Sequence, residues 1–333
     1  MIWTNWEGCM RRVSRVVGAM IALFIGIGTA AAQTPTTIVG DVRTAIACTT
    51  WPCSPKQDLS GGEAILKQYR AAHGTTSEAL EALSWLGRAA LAASQPEKAG
   101  GYASETYALA VTALKQHSLA EDPHLEIALG AAIEVQAQSR AARGARSDAV
   151  YFLRRELDTY RDTPIYRRIQ KNLLLLSLEG QPAPALEGGD ALGRPLPALA
   201  DLKGKVVLLF FWAHWCPDCK AQAPILSKLL DRYRKEGLIV IAPTQRYGYT
   251  VRRTPATPEE ELRYIAQVRD TSYPFLRDEP VPVSEANHTL YGVSTTPTLV
   301  LVDRRGIVRL YHPGAMSEEE LSAAIAPALV STD

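Results

Sequence analysis

Residues Val206 to Phe211 form an unbroken apolar run that ends at Trp212-Ala213-His214-Trp215, and two cysteines follow at once in Cys216-Pro217-Asp218-Cys219. Six apolar residues are too few for a core helix and suit a strand buried on both faces. The residues after Cys219 take up helical spacing, from Gln222 to Lys235. A buried strand that delivers two cysteines to the first turn of a helix restricts the chain to a layered α/β fold and gives that junction a chemistry. The helix N-terminus carries unpaired N–H groups and partial positive charge. Both stabilise a thiolate at the first cysteine, and the second cysteine is close enough to resolve a mixed disulfide.

The pattern around this motif changes once along the chain. From Gly61 to Gly180 the sequence is rich in Ala, Leu, Glu and Arg, with apolar residues at helical spacing, as in Leu80, Leu83, Leu86 and Ala90. Pro96, Pro123 and Pro164 separate the helices. Leu86-Gly87 recurs forty-three residues later as Leu129-Gly130, and Ser104-Glu105 recurs as Ser147-Asp148. This predicts two helix–loop–helix units, flanked by helices at Glu63–Ala72 and Pro164–Leu178. Gln181-Pro182-Ala183-Pro184-Ala185 cannot continue a helix and marks a boundary. Beyond it strands and helices alternate. Strands are expected at Val206–Phe211, Leu238–Ala242, Phe275–Arg277, Thr298–Val302 and Ile307–Tyr311. Helices are expected at Gln222–Lys235, Glu259–Arg269 and Glu285–Tyr291, with a last one capped by Ser317 and Glu320.

The N-terminus reads as an export signal. Arg11, Arg12 and Arg15 precede the apolar run Val16 to Ile27, and Ala30-Ala31-Ala32 offers a small-residue cleavage site before Gln33. The expected organisation is therefore a signal peptide over 1–32, an irregular segment over 33–60, an all-α repeat-like domain over 61–180 and an α/β domain over 181–333. The alternative for the first segment is an uncleaved membrane anchor. Its apolar run is shorter than the ~20 residues that a spanning helix needs. A bacterial periplasm is the expected compartment.

Cys48 and Cys53 lie in the segment read as irregular. In an oxidising compartment a local structural disulfide is the favoured reading. Two others stand beside it: a pair that exchanges with Cys216 and Cys219, and four cysteines gathered on zinc. The net charge of +1 among 333 residues offers no basic field for nucleic acid. His73, His117, His124, His288 and His312 show no ligand-like spacing, and no Gly-rich phosphate loop follows a strand. No cofactor and no metal are expected. The loop from Thr244 to Pro258, with Arg246, Arg252, Arg253, Tyr247 and Tyr249, reads as a solvated insertion or as a partner contact.

Four stretches of the C-terminal half carry a family resemblance. They are Ala183-Pro184-Ala185-Leu186 leading to Leu202-Lys203-Gly204-Lys205-Val206-Val207, the FFWAHWCPDC segment, Gly292-Val293-Ser294-Thr295-Thr296-Pro297-Thr298, and Val302-Asp303-Arg304-Arg305-Gly306 before a hairpin strand. Residues 181–333 resemble the thioredoxin-fold domain of the exported TlpA-like thiol-disulfide oxidoreductases. The resemblance implies that Cys216 is the exposed nucleophile, Cys219 the buried resolving thiol and Pro297 a cis proline beside the disulfide. The Thr296 backbone would be free to bond a substrate strand. Trp215 would shield the site, or else serve as a core aromatic. It implies protein or peptide disulfides as substrates and a membrane electron donor of the CcdA/DsbD type. Trp85-Leu86-Gly87 and the Ala149–Tyr160 segment resemble degenerate tetratricopeptide repeats, which would recruit a client; a plain helical bundle is the alternative.

Three departures from the family pattern bear on the chemistry. Gln222 stands where many members have a carboxylate, and Phe210 where thioredoxin has a buried aspartate. The usual proton acceptors for the buried thiol are missing. Asp218 between the cysteines works against thiolate formation at Cys216, unless solvent screens it. Less thiolate stabilisation points toward a reductant. A protonated His214 would oppose that effect.

Overall fold

The computed structural model describes residues 37–50 and 53–330, and everything from Thr37 onward falls in one compact unit. The proposed export signal lies outside the described residues. Among the described residues no helix is long and apolar enough to cross a membrane.

Among the described residues seven helices come first: α1 (Ile38–Ala45), α2 (Ser60–His73), α3 (Ser77–Ala92), α4 (Pro96–Ala113), α5 (Pro123–Ala142), α6 (Arg146–Thr159) and α7 (Tyr166–Ser177). Helix α1 corrects the irregular reading of 33–60. Thr37 caps it by accepting the Gly40 N–H, and Val42 and Ile46 are fully buried beneath it. Pro96 and Pro123 each open a helix at a position whose N–H has no intrahelical partner, which is why they delimit helices without kinking them. Helices α3 and α5 are buried over most of their length, Leu80, Leu86, Leu129 and Ile133 being nearly inaccessible, so they form the centre of this half.

The second half holds a four-stranded sheet in the order β3 (Leu238–Ile241), β2 (Val206–Phe211), β5 (Thr298–Val302), β6 (Val308–Pro313). Strand β2 runs parallel to β3 and antiparallel to β5, and β5 and β6 form a hairpin. A separate antiparallel pair joins β1 (Asp190–Leu192) to β4 (Val281–Val283). The strand expected at Phe275–Arg277 is instead a 3-10 turn over Pro274–Leu276. Pro274 fixes φ at its start, and the pairing falls six residues later on β4. Helices α8 (Pro217–Tyr233), α9 (Pro258–Ser272), α10 (Glu285–Leu290) and α11 (Glu318–Val330) complete this half. Ser317 and Glu320 cap α11 reciprocally, at 3.2 and 2.8 Å.

All six residues of β2 are buried because both faces of the sheet are covered. Val206, Leu208 and Phe210 face the core built with α8 and α11. Val207, Leu209 and Phe211 share the opposite core with Leu174 and Leu178, which belong to α7 and its C-cap. The last helix of the first half is thus a covering layer for the sheet of the second. The segment after it is tied to the hairpin, with Gly180 N–H donating to Val308 O and Val308 N–H to Gln181 O at 2.8 and 2.9 Å. Gly292 adopts φ +58°, and a Cβ there would come 2.6 Å from the Lys171 backbone nitrogen. Only glycine allows α7 to lie this close to the loop that leads to Pro297.

Candidate active site at the start of α8

Strand β2 ends at Phe211, and Trp212 turns inward to fill the core. Its indole N–H donates to Ala242 O at 3.1 Å, and its carbonyl accepts the Thr244 hydroxyl at 2.8 Å. This fixes the next residues at the top of the sheet. Cys216 is the N-cap of α8: its sulfur accepts the Cys219 N–H at 3.0 Å, and Pro217 occupies the first helical position. Cys216 and Cys219 are joined in a disulfide with Cα atoms 5.3 Å apart. Peptide 296–297 is cis, and the Thr296 carbonyl lies 3.5 Å from the Cys216 sulfur. Thr296 precedes β5, which begins at Thr298, so its backbone is not part of the sheet.

Cys219 is fully buried. Cys216, expected to be exposed, is only 2% exposed in this disulfide form, because the N-cap position tucks its sulfur under the helix and against the Thr296 carbonyl. The exposed groups of the motif are Trp215, Pro217 and Asp218. Trp215 is 47% exposed and meets the Tyr247 ring edge-on at 5.5 Å, so it is no core aromatic; Trp212 holds that position. Asp218 stands in the first turn of α8, open to solvent.

His214 lies away from solvent, with its Nε2 3.0 Å from the Glu261 carboxylate. Burial lowers its pKa despite that neighbour. The lowered pKa works against the protonated form of His214 that would oppose Asp218. Glu261 also accepts the N–H groups of Tyr247 and Gly248 at 2.6 and 2.8 Å. Tyr247, Tyr249 and Tyr264 surround the imidazole edge-on at 5.3 to 5.5 Å. The Tyr247 end of the 244–258 loop is therefore anchored to the motif, while Arg252 and Arg253 remain exposed. Sequence reasoning missed Glu261. It sits in a run of three glutamates, and nothing local separates the buried one from its exposed neighbours.

The two departures have structural explanations. Phe210 packs in the core 6.0 Å from Tyr273. Gln222 is buried and clamps Met316, donating to its carbonyl at 3.0 Å and accepting its N–H at 2.8 Å. A carboxylate can do only the second of these. Cys48 and Cys53 form their own disulfide, with Cys48 fully buried under α1. All four described cysteines are therefore held in two local pairs, and no His, Cys, Asp or Glu cluster suited to a metal ion occurs among the described residues.

The AhpC/TSA family model matches residues 180–311, which leaves α1–α7 outside it. The thioredoxin-like protein YneN of Bacillus subtilis (strain 168) is 33% identical over 143 residues, 43% of this chain and 76% of that protein. The chain belongs to the thioredoxin-like thiol-disulfide oxidoreductases. Among other relatives, thiol-disulfide oxidoreductase ResA of Halalkalibacterium halodurans is 30% identical over 36% of this chain and 61% of that protein. Thiol:disulfide interchange protein DsbE of Xylella fastidiosa (strain Temecula1 / ATCC 700964) is 30% identical over 40% of this chain and 59% of that protein. The chain thus spans about three-fifths of the ResA and DsbE proteins. The Cys216–Cys219 disulfide, the cis proline and the half-exposed tryptophan stand together at one end of the sheet.

Proposed function

We propose that this thioredoxin-like enzyme is exported and reduces disulfides in polypeptide substrates. The observation that carries the reading is the Cys216–Cys219 pair at the N-terminus of α8, with the Cys216 sulfur 3.5 Å from the Thr296 carbonyl. In the dithiol form, the Cys216 thiolate attacks one sulfur of the substrate disulfide. A Cys216–substrate bond forms, and the second substrate sulfur leaves as a thiolate that takes a proton. The Cys219 thiolate then attacks the Cys216 sulfur, re-forms the 216–219 disulfide and releases the first substrate thiol. One substrate disulfide gains two electrons and two protons, and the enzyme disulfide must be reduced again by a dithiol donor. In a periplasm, a membrane protein of the CcdA/DsbD type would supply that pair of electrons.

Three further assignments belong to this reading. Pro297 and Thr296 hold the substrate strand and Trp215 shields the mixed disulfide. The basic start and apolar run before Gln33 direct export, with a retained anchor as the alternative. The paired helices α3/α4 and α5/α6 act as degenerate tetratricopeptide-like units that recruit the client. The opposite redox direction, a thiol oxidase, uses the same residues.

Turnover of insulin disulfides by the whole chain with an excess small dithiol tests the enzyme. Above the rate of the dithiol alone, wild type is expected to accelerate the reaction and Cys216→Ser to add nothing. Equal rates would remove the catalytic reading. A scaffold whose redox activity is incidental would bind clients equally well in both proteins.

A further inference from the structure

A cleft of about 610 Å³ opens beside the cis-proline loop, with Ser294 and Thr295 on its lip and helices α3, α5 and α7 forming its walls. Four cations line it: Arg43, Arg88, Arg168 and Lys171. Three of them are occupied. Glu134 accepts the Arg168 Nε–H at 2.8 Å and Lys171 at 3.3 Å. Burial alone would raise the Glu134 pKa, but these two cations outweigh it and hold the carboxyl ionised. Arg43 donates to Cys48 O at 3.0 Å and to Thr49 O. Of the other wall carboxylates, Glu81 is taken by His124 at 2.6 Å, and burial raises the pKa of Glu126, which favours its neutral form.

Arg88 is different. It is 9% exposed, and its guanidinium stands 4.4 Å from the centre of the Trp85 indole. It makes no hydrogen bond or ion pair with a described residue, and its Nε is buried without a partner. Burial and the nearby Arg168 pull its pKa down to about 9. Glu134 and Glu81 offset part of that cost at longer range, but neither bonds the guanidinium, and a buried guanidinium without such a bond is unfavourable. An anion entering the cleft would relieve that cost through charge-assisted bonds.

We propose that this cleft binds a carboxylate side chain of the substrate polypeptide, close in sequence to the cysteine that exchanges with Cys216. The assignment rests on the thiol-disulfide reading and adds a substrate class to it. The lip is continuous with Thr296, whose carbonyl touches the Cys216 sulfur. An extended segment advances about 3.3–3.6 Å per residue. A strand laid along Ser294–Thr296 therefore brings its second or third residue from the cysteine over the cleft. Ile127, Pro164 and Ile165 offer an apolar wall for the aliphatic stem of a glutamate.

Two synthetic twelve-residue peptides test this, each closed by one disulfide and differing only in Glu or Gln at the second and third positions beyond each cysteine. Their second-order exchange rates with the pre-reduced whole chain are read by acid quench and chromatography at low salt. The acidic peptide is expected to react about tenfold faster. Arg88→Gln should bring the ratio of the two rates near one, Arg88→Lys should retain part of it, and Arg154→Gln on the exposed face of α6 should leave it intact. An acidic peptide with serines for cysteines should inhibit wild type where its Gln counterpart does not, a measurement independent of how Arg88→Gln folds. Equal rates for both peptides in wild type overturn the cleft assignment and leave the exchange chemistry standing. No reaction with either peptide overturns the thiol-disulfide reading itself. Oxidised glutathione that outpaces the acidic peptide in an Arg88-dependent way overturns the polypeptide assignment in favour of a small disulfide.

Discussion

The described residues hold two short-range disulfides whose surroundings differ. Cys48 and Cys53 follow α1 at its C-terminal end, where partial negative charge gathers, and the Arg43 guanidinium binds the backbone of that loop. Cys216 and Cys219 open α8 at its positive end, where a backbone N–H points at the first sulfur. The helix terminus that favours a thiolate is present at one pair and reversed at the other. One loop also has a cis proline, an exposed tryptophan and a charged cleft at its edge, while Cys48 is sealed in the helical core. Proximity of two cysteines makes a bond in both places; the end of the helix that the pair meets, not the burial of its sulfurs, is what separates the two.

The largest change expected from the redox side, after loss of Cys216 itself, comes from Gln222→Glu. The substitution restores the family's carboxylate but removes the donor to Met316 O and buries a charge beside the core. It is expected to destabilise the protein by about 2–4 kcal/mol at neutral pH. The buried carboxyl would have a folded pKa above its unfolded value. Its penalty is therefore present at neutral pH and fades as pH falls through the folded value, when the protonated acid can donate to Met316 O. Urea titrations of both proteins at pH 7 and pH 4.5 measure this; an equal gap at both would show that the amide donor does not matter.

The opposite pair should behave in reverse. Replacing Cys48 and Cys53 together by Ala is expected to lower stability by about 2 kcal/mol through the freed loop, and to leave the insulin-reduction rate unchanged. A rate loss beyond twofold in a folded variant would mean that the two pairs exchange electrons, and the comparison would break.

Acid should act on the redox end through its buried histidines. Burial pushes His288 down to about 3, and His214 is lowered as well. Both are below the unfolded value of about 6.5. The unfolded chain then binds more protons between these values, so stability is full above about pH 6.5 and falls as pH drops, by up to about 1.4 kcal/mol per unit for each histidine. His288→Phe, which keeps a ring against Phe211, should flatten the acid limb of a pH series of melting curves. An unchanged limb would place the acid sensitivity elsewhere.

Much of this frame is legible in the sequence because it is periodic or covalently local. The helical spacing of 61–180, the apolar run of β2 and the Cys-x-x-Cys motif each state their structure within a few residues. What escapes is long-range. That α7 covers the sheet depends on Gly292 meeting Lys171, a contact between residues more than a hundred positions apart. Glu261 and Arg88 look like ordinary helix-surface charges, and only tertiary packing makes one the anchor of the 244–258 loop and the other a buried cation that bonds no described residue. Strand β4 escapes because Pro280 and Pro282 flank and interrupt it, which reads as loop. The exposed reading of Cys216 failed because an N-cap sulfur is drawn inward by the amide it accepts.

The smallest expected effect concerns Asp218, and it tests whether the helix terminus alone sets the redox balance. Asp218 lies in the first turn of α8 and is open to solvent, so its influence on the neighbouring sulfur is screened. Removing its charge with Asp218→Asn leaves the Cys216 thiolate with one fewer anion beside it. The reduced form is then favoured and the disulfide becomes more oxidising. An exposed charge pair is worth up to about 1 kcal/mol, which corresponds to a rise in reduction potential of about 10–20 mV. Equilibration against glutathione buffers, read by thiol alkylation, resolves a shift of that size. A fall in potential would reverse the sign assigned to Asp218. A rise well beyond this range would mean that the aspartate is less screened than its exposure indicates and dominates over the helix terminus.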